Sequence, residues 1–240
     1  MTNSVDREYE QLRISGLHAF YGESHILHGI NLVVRRGELV TLLGRNGAGR
    51  STTLKAIMNM VGKRTGSIMI NGTDTLSCAP HQIARLGVGY CPEHRGIFSS
   101  LNVQENLTLP PVVRSGGMGL EEIYNMFPNL YERRFSQGSK LSGGEQQMLA
   151  MARILRTGAS MLLLDEITEG LAPVIVEKLG EVLMKLKAKG LTIILVEQNF
   201  HFAAPLADRH YVMEHGQIAE EIIADELEAK QSLLNDYLGV

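Results

Sequence analysis

The stretch that decides the fold is Leu39-Val40-Thr41-Leu42-Leu43-Gly44-Arg45-Asn46-Gly47-Ala48-Gly49-Arg50-Ser51. Its first five residues form a nearly continuous apolar run, which is typical of a strand buried on both faces of a sheet. Glycines follow, and a helix is predicted next with Leu54, Ile57, Met58 and Val61 on one face. Because glycines let several backbone N–H groups converge on phosphate oxygens, the pattern predicts a phosphate-binding loop. Taken without other motifs, it also fits a tight strand-to-helix turn.

The loop and the start of its helix supply the predicted nucleotide-binding residues. These are Gly44, Arg45, Asn46, Gly47, Ala48, Gly49, Arg50, Ser51 and Thr52. The hydroxyl of Ser51 is placed to coordinate Mg²⁺. The usual P-loop pattern has lysine where this chain has Arg50.

A second apolar strand, residues 161–164, ends in the acids Asp165 and Glu166 and resembles a Walker B motif. In that interpretation Asp165 holds the Mg²⁺ shell, directly or through water, and Glu166 polarises the attacking water as general base. The alternative is a strand end with two solvated acids, which is common.

A third motif, Leu141-Ser142-Gly143-Gly144-Glu145-Gln146-Gln147, lies where a loop gives way to an amphipathic helix. Two glycines permit close approach of the backbone, and the N–H groups at a helix N-terminus favour an anion. The alternative is a simple helix cap, since Ser142 and Glu145 also fit a capping box.

Composition restricts the function classes. The chain has 240 residues, 44% of them hydrophobic, a net charge of −3 and two cysteines. The sequence lacks the basic stripe that a nucleic-acid-binding protein usually shows. The two cysteines suggest a reducing compartment. The N-terminus has no apolar signal region, and runs such as residues 193–196 are far too short to span a bilayer. We therefore expect a chain that is soluble when isolated and that another protein holds at any membrane.

Alternation of strands and helices predicts a mainly parallel α/β sheet. Alternating Ile30, Leu32 and Val34 indicate an antiparallel strand in the N-terminal part, and Asn71-Gly72 a hairpin turn. Helices are predicted at residues 102–109, 120–127, 173–190 and near 226–238. We expect one domain over residues 1–240, with the core and an antiparallel β subdomain in 1–96 and 141–240 and a helical subdomain at about 97–140.

The three motifs, in the order P-loop, LSGGEQQ, LLLDE, resemble those of ATP-binding-cassette (ABC) ATPases over nearly the whole chain. The resemblance implies a P-loop NTPase fold, ATP and Mg²⁺ as ligands, and two subunits that meet head to tail. Each signature then caps the γ-phosphate held by the other subunit. The signature residues acting in trans would be Leu141, Ser142, Gly143, Gly144 and Glu145.

Other family positions follow from the same resemblance. Tyr21 matches the aromatic residue that stacks on adenine, although a core or strand-edge tyrosine is the alternative. Residues 170–172 match the D-loop at the dimer seam, where Ile167 replaces the usual proline before it. Glu93 occupies the Q-loop position, as a possible further Mg²⁺ ligand, and Gln198 the switch position, where most members have histidine. Glutamine can hydrogen-bond a γ-phosphate but cannot carry a proton charge.

The strings CPEHRGIF, DEITEGLAP, VEQN and terminal YLGV resemble one subfamily, the ATPase subunits of bacterial branched-chain amino acid importers. That implies a peripheral subunit at the cytoplasmic face of the inner membrane. It also implies a second ATPase subunit, in a heterodimer or else a homodimer, two permease subunits and a periplasmic substrate-binding protein. The helical subdomain and the segment around Glu93 would contact the permease.

Arginine at position 50 carries the charge of lysine on a longer, forked group. We expect ATP to bind and hydrolysis to persist at a reduced rate, because Ser51, Asp165, Glu166 and the signature are intact. Three alternatives stay open: an ATPase for another substrate, such as lipopolysaccharide export; a non-transport ABC protein of DNA repair or translation; and an ATP-gated clamp that does not hydrolyse ATP, which only Arg50 favours.

Overall fold

The structure, a computed structural model, describes residues 10–238 and contains two sheets. The first is antiparallel with strand order β2-β1-β4-β5. Its strands are β1 Glu10–Tyr21, β2 Ser24–Arg35, β4 Lys63–Ile70 and β5 Thr73–Asp74. The predicted alternation is confirmed, since Ile30, Leu32 and Val34 are all buried in β2. The predicted hairpin is also confirmed: Ile70 pairs with Thr73 across the turn at Asn71-Gly72.

The second sheet has six strands in the order β10-β9-β3-β8-β7-β6. Its strands are β3 Leu39–Leu43, β6 Val88–Cys91, β7 Met161–Asp165, β8 Thr192–Val196, β9 Arg209–Glu214 and β10 Gln217–Ile223. Neighbours from β9 to β6 are parallel, and only β10 runs antiparallel to β9. The predicted, mainly parallel α/β fold is therefore confirmed. Because carboxyl ends of parallel strands share one edge, the segments after β3, β7 and β8 meet there.

Helices cover both faces of this sheet. They are α1 Arg50–Ile57, α2 Pro80–Arg85, α3 Val103–Thr108, α4 Leu120–Met126, α5 Pro128–Glu132, α6 Gly143–Leu155, α7 Pro173–Ala188, α8 Phe200–Ala203 and α9 Gln231–Leu238. Every residue of β3 is buried. Leu39 and Leu43 pack into the core with α6 and α7, whereas Val40 and Leu42 pack against the antiparallel sheet and α1. The two-sided burial predicted for this strand is confirmed.

Two helix boundaries were wrong. Helix α1 ends at Ile57, so Val61 lies outside it; Asn59 has a left-handed φ of 55°, which cannot continue a helix. The C-terminal helix begins at Gln231, because a separate 3-10 turn occupies Ala224–Glu226. The long helix starts at Pro173 as predicted and ends at Ala188, shortly before Gly190 at φ 83°.

Three short helices, α3, α4 and α5, lie within the region predicted as a helical subdomain. Their buried residues Leu107, Ile123 and Leu130 share one core with Met148 and Leu149 of α6. The division at residues 97 and 140 stays a prediction. Two predictions fall on residues outside the described range. They are the lack of a signal region in the first nine residues and the last two residues of the string YLGV. Between residues 10 and 238, no helix combines the length and the apolar character that crossing a bilayer requires.

Candidate functional site: a phosphate-binding loop and two acids at the edge of the sheet

The glycine-rich loop joins β3 to α1 and requires glycine at both ends. Gly44 has φ 149°, and a Cβ there would collide with the carbonyl oxygen of Met213. Gly49 caps α1 in the left-handed region at φ 104°, and its Cβ would lie 2.8 Å from Leu27. The Ala48 N–H donates to the Arg45 carbonyl at 3.0 Å, which closes a turn within the loop. Sterics and one local hydrogen bond, both within the protein, therefore restrict this backbone.

Ser51 and Asp165 are 114 residues apart in the sequence, and their side chains are hydrogen-bonded in the structure. The Ser51 hydroxyl donates to Asp165 Oδ1 at 2.7 Å, and the Tyr90 hydroxyl donates to Asp165 Oδ2 at 3.0 Å. Burial raises the pKa of Asp165, while those two hydrogen bonds act in the opposite direction. A hydroxyl and a carboxylate held together are hard oxygen donors of the kind that Mg²⁺ prefers, so these residues fit the predicted metal.

Arg50 is buried, with only 4% of its side chain exposed. One guanidinium nitrogen, Nη1, donates to the backbone carbonyl of Glu197 at 2.9 Å. The other, Nη2, donates to Asn46 Oδ1 at 3.1 Å and to Glu166 Oε1 at 2.8 Å. The P-loop cation is thus paired with the predicted general base, a contact that the sequence did not indicate.

Glu166 follows β7 with an unusual backbone, at φ 47°. Its N–H donates to the Val196 carbonyl at 2.9 Å, which continues the pairing of β7 with β8. Desolvation raises the pKa of its carboxyl, Arg50 lowers it, and nearby acids raise it further; the net direction is upward. A carboxylate with a raised pKa is a better proton acceptor, as a general base requires.

Glu93 lies near this acid: one carboxylate oxygen each of Glu93, Glu166 and Glu169 lie within 4.8 Å of one another. Gln198 is exposed and lines a cavity of about 560 Å³ together with Gly44, Arg45 and Asn46. It also borders a cavity of about 270 Å³ beside Glu166. The structure thus brings the predicted Q-loop and switch positions to the same edge as the P-loop.

Tyr21 is placed at the end of β1, with 40% of its surface exposed. Among residues 10–238, no hydrogen bond joins it to the P-loop. It is accessible to a planar ligand, and its predicted stacking role stays a prediction.

The signature motif forms the start of α6. Ser142 is its N-cap: Ser142 Oγ accepts from the Glu145 N–H at 3.3 Å, and Glu145 Oε2 accepts from the Ser142 N–H at 2.7 Å. The capping box is therefore real, and it leaves Ser142 exposed. A Cβ on the buried Gly144 would lie 2.9 Å from a side-chain carbon of Ile175, so a larger residue would have to displace Ile175. In the part of the chain that the structure describes, no hydrogen bond joins Leu141, Gly143 or the rest of this motif to the P-loop.

Sequence reasoning missed two residues of the site. Tyr90 bonds to Asp165, and Glu197 bonds to Thr168 through both carboxylate oxygens. An acid directly after an apolar strand is the same signal that located Asp165 and Glu166, and it could have located Glu197. No sequence signal could have located Tyr90, because its role depends on β6 pairing with β7.

A buried strand leading into a P-loop, beside a strand that ends in an Asp-Glu pair, defines a P-loop nucleoside triphosphatase. The sequence profile of the ABC transporter family matches residues 27–169. The chain belongs to this family, as its ATP-binding and ATP-hydrolysing subunit. Such cassettes work as dimers together with membrane permease subunits.

Several known proteins are similar to the chain. The high-affinity branched-chain amino acid transport ATP-binding protein BraG of Pseudomonas aeruginosa is 37% identical over 223 residues, covering 92% of this chain and 96% of that protein. The probable branched-chain amino acid transport ATP-binding protein LivF of Archaeoglobus fulgidus is 35% identical, covering 90% and 93%. The lipopolysaccharide export system ATP-binding protein LptB of Escherichia coli is 29% identical, covering 91% and 93%.

Among solved structures, the dimeric post-hydrolysis state of the ATP-binding cassette MJ0796 bound to ADP and Pi is similar, with a TM-score of 0.79 and 25% identity. That match covers 89% of this chain and 98% of that one. A nucleotide-free ATP-binding cassette of an ABC transporter has a TM-score of 0.80 at 24% identity, covering 93% and 95%, which supports the fold alone.

Proposed function

We propose that this ATPase subunit energises a membrane importer of branched-chain or similar amino acids. The observation that carries the proposal is the 37% identity to BraG along nearly the full length of both chains. The strings around Glu93, after Asp165 and around Gln198 point to the same subfamily.

In the proposed site, the backbone of residues 44–52 surrounds the nucleotide phosphates and Tyr21 stacks on the adenine. Ser51 and Asp165 hold Mg²⁺, with Glu93 as a further ligand; the ion supplies positive charge that neutralises the phosphate oxygens. Glu166 takes a proton from the attacking water, and the Gln198 amide donates to the γ-phosphate. The 2.7 Å bond between Ser51 and Asp165 supports the first pair, and the shared cavities support the placement of Gln198.

In this proposal Arg50 can pair with either of two anions, the Glu166 carboxylate or a nucleotide phosphate. Its buried guanidinium donates to Glu166 Oε1 at 2.8 Å. A nucleotide phosphate in the loop offers it a second partner, and a guanidinium bonds phosphate bidentately. When Arg50 turns to the phosphate, Glu166 is released to act as base. Hydrolysis therefore persists in this account, at a rate reduced by the competition between the two partners.

The proposed partners are a second ATPase subunit, two permease subunits and, indirectly, a periplasmic substrate-binding protein. The chain would lie at the cytoplasmic face of the bacterial inner membrane. Its exposed signature would cap the nucleotide of the second ATPase subunit. Exposed aromatic residues in and next to the helical region, Phe98, Tyr131 and Phe135, support a permease contact there.

Lipopolysaccharide export is the second candidate, since LptB is also similar to the chain, at 29% identity. The non-hydrolysing clamp is less well supported, because a clamp would not need the water-activating Glu166. A nucleic-acid role finds no support in a chain with a net charge of −3.

The experiment is to purify the chain with the membrane proteins that accompany it and to follow phosphate release from MgATP. We expect stimulation when a leucine-loaded binding protein from the same host is added. Stimulation by lipopolysaccharide instead, or co-purification with lipopolysaccharide-export permeases, would contradict the importer role.

A further inference from the structure

Glu197 is a buried acid next to the proposed catalytic residues, and none of the roles above uses its side chain. It directly follows β8, and only 2% of its surface is exposed. Its Oε1 accepts from the Thr168 N–H at 3.1 Å, and its Oε2 accepts from the Thr168 hydroxyl at 2.8 Å. Burying a carboxylate is costly, so a buried acid with both oxygens bonded to one residue calls for an explanation.

Thr168 belongs to the segment that begins with Glu166 and leads to the dimer-seam loop. Glu166 holds a left-handed backbone at φ 47°, which is strained for a residue other than glycine and persists only where neighbours enforce it. The Glu166 N–H is fixed by the Val196 carbonyl. Two residues further on, Thr168 is fixed by the Glu197 side chain. The segment that carries the base is therefore pinned at both ends by consecutive residues, Val196 and Glu197.

The same short segment reaches two other parts of the site. The Glu197 backbone carbonyl accepts from Arg50 Nη1 at 2.9 Å. The next residue, Gln198, borders the cavity of about 270 Å³ that Glu166, Thr168 and Glu197 also line. The Glu197 backbone thus contacts the P-loop cation, whereas its side chain contacts the segment that carries the base. Loss of the side chain would therefore displace the base and leave the backbone contact to Arg50 in place.

We propose that Glu197 is a positioning residue for ATP hydrolysis, which holds Glu166 in its working place by binding Thr168. The role rests on the proposed function, since it presumes that Glu166 is the base. Both carboxylate oxygens of Glu197 accept hydrogen bonds from Thr168, so its role here is to position the base and not to react. It acts through two hydrogen bonds to Thr168, so its removal should slow the chemical step and leave ATP binding intact.

The variant Glu197→Gln tests the hydrogen bonds to Thr168 separately from the negative charge of Glu197. Its amide oxygen can accept from the Thr168 N–H, and its NH₂ can donate to the Thr168 hydroxyl oxygen. Burial is the largest influence on the pKa of Glu197 and raises it to about 7, against the hydrogen bonds from Thr168, which lower it. Of the charged groups that face Glu197, Glu166 raises the pKa and Arg50 lowers it. Both protonation states are therefore accessible near neutral pH, and a neutral isostere is compatible with the site.

The experiment measures kcat and KM for ATP in the purified complex for the wild type, Glu197→Ala, Glu197→Gln, Thr168→Val and the double variant Glu197→Ala/Thr168→Val. Glu181→Gln, on the exposed face of α7, is the matched control. We expect Glu197→Ala to lower kcat on the order of 10²-fold, as a misplaced catalytic group does, with KM nearly unchanged. Glu197→Gln should restore most of the rate. Thr168→Val should lower kcat, and the double variant should be no slower than Glu197→Ala.

Wild-type kcat in Glu197→Ala would overturn the role and leave the proposed function standing, as would a Glu197→Gln variant no faster than Glu197→Ala. A wild-type complex that turns over no ATP would overturn the proposed function, and this role with it. If Glu197→Ala does not fold, Thr168→Val decides: kcat and KM equal to the wild type would overturn the role.

Discussion

The guanidinium of Arg50 donates to the carboxylate of Glu166 at 2.8 Å, and the two side chains are only 4% and 15% exposed. Arg50 thus donates to a carboxylate oxygen of Glu166, the acid that should accept a proton from water. A buried pair of this kind is held more firmly than a surface ion pair, because water cannot compete for it. The rate at this site should therefore depend on how readily Arg50 leaves Glu166.

Arg50→Lys should raise ATP turnover. A lysine ammonium is a point charge on a different stem. It lacks the two separated nitrogens with which the Arg50 guanidinium reaches Asn46, Glu166 and the Glu197 carbonyl. Loss of one charge-assisted hydrogen bond of about 1.5 kcal/mol corresponds to roughly a tenfold increase in kcat. Steady-state phosphate release by the purified complex measures it, with the exposed Arg36→Lys as control. A variant that is no faster than the wild type would show that the pair does not limit the rate.

Ser142→Asp should separate the two roles of the signature serine. Aspartate is as good an N-cap as serine, so α6 should keep its capping box and the protein its thermal stability. Its negative charge would face the γ-phosphate held by the second subunit and should oppose ATP-driven association. Ser142→Asn, a neutral cap, is the control. Thermal unfolding should be normal for both variants, whereas ATP-dependent dimerisation should be lost in Ser142→Asp alone. Equal dimerisation of Ser142→Asp and Ser142→Asn would argue against a signature that acts in trans.

Stability should depend on pH through Glu197. Its pKa is raised from 4.5 to about 7, chiefly by burial, so the folded chain holds this proton more tightly than the unfolded chain. The stabilisation that this proton gives the folded chain is complete below pH 4.5 and is lost as pH rises to about 7. The free energy of unfolding falls by about 3 kcal/mol over that range. Buried His210, with its pKa lowered from 6.5 to about 4 by desolvation, acts in the opposite sense: its contribution is present above pH 6.5 and is lost as pH falls to about 4.

The comparison with Glu197→Gln isolates the Glu197 effect, because both proteins contain His210. Free energies of unfolding from denaturant titrations at pH 5, 6, 7 and 8 should fall more steeply with pH in the wild type. Parallel curves would mean that Glu197 does not carry a raised pKa.

The sequence predicted most of what positions the site. The strand, loop and helix around residues 44–51 follow local rules of burial and glycine conformation, and Asp165 follows a buried strand. Side-chain partners could not be predicted in this way. The Arg50–Glu166 pair joins residues 116 positions apart, and it exists because the forked side chain reaches across the sheet edge. The end of α1 was misjudged because Val61 continues the apolar pattern after Asn59 has turned the backbone.

The most direct test of the account is phosphate release from MgATP by the purified complex, comparing the wild type with Glu166→Gln in this chain alone. We expect measurable release at this chain's site in the wild type. In the variant we expect a loss of about 10² to 10⁴-fold in that site's single-turnover rate, with ATP binding retained. Equal single-turnover rates in the two proteins, or no release from this site in either, would contradict it.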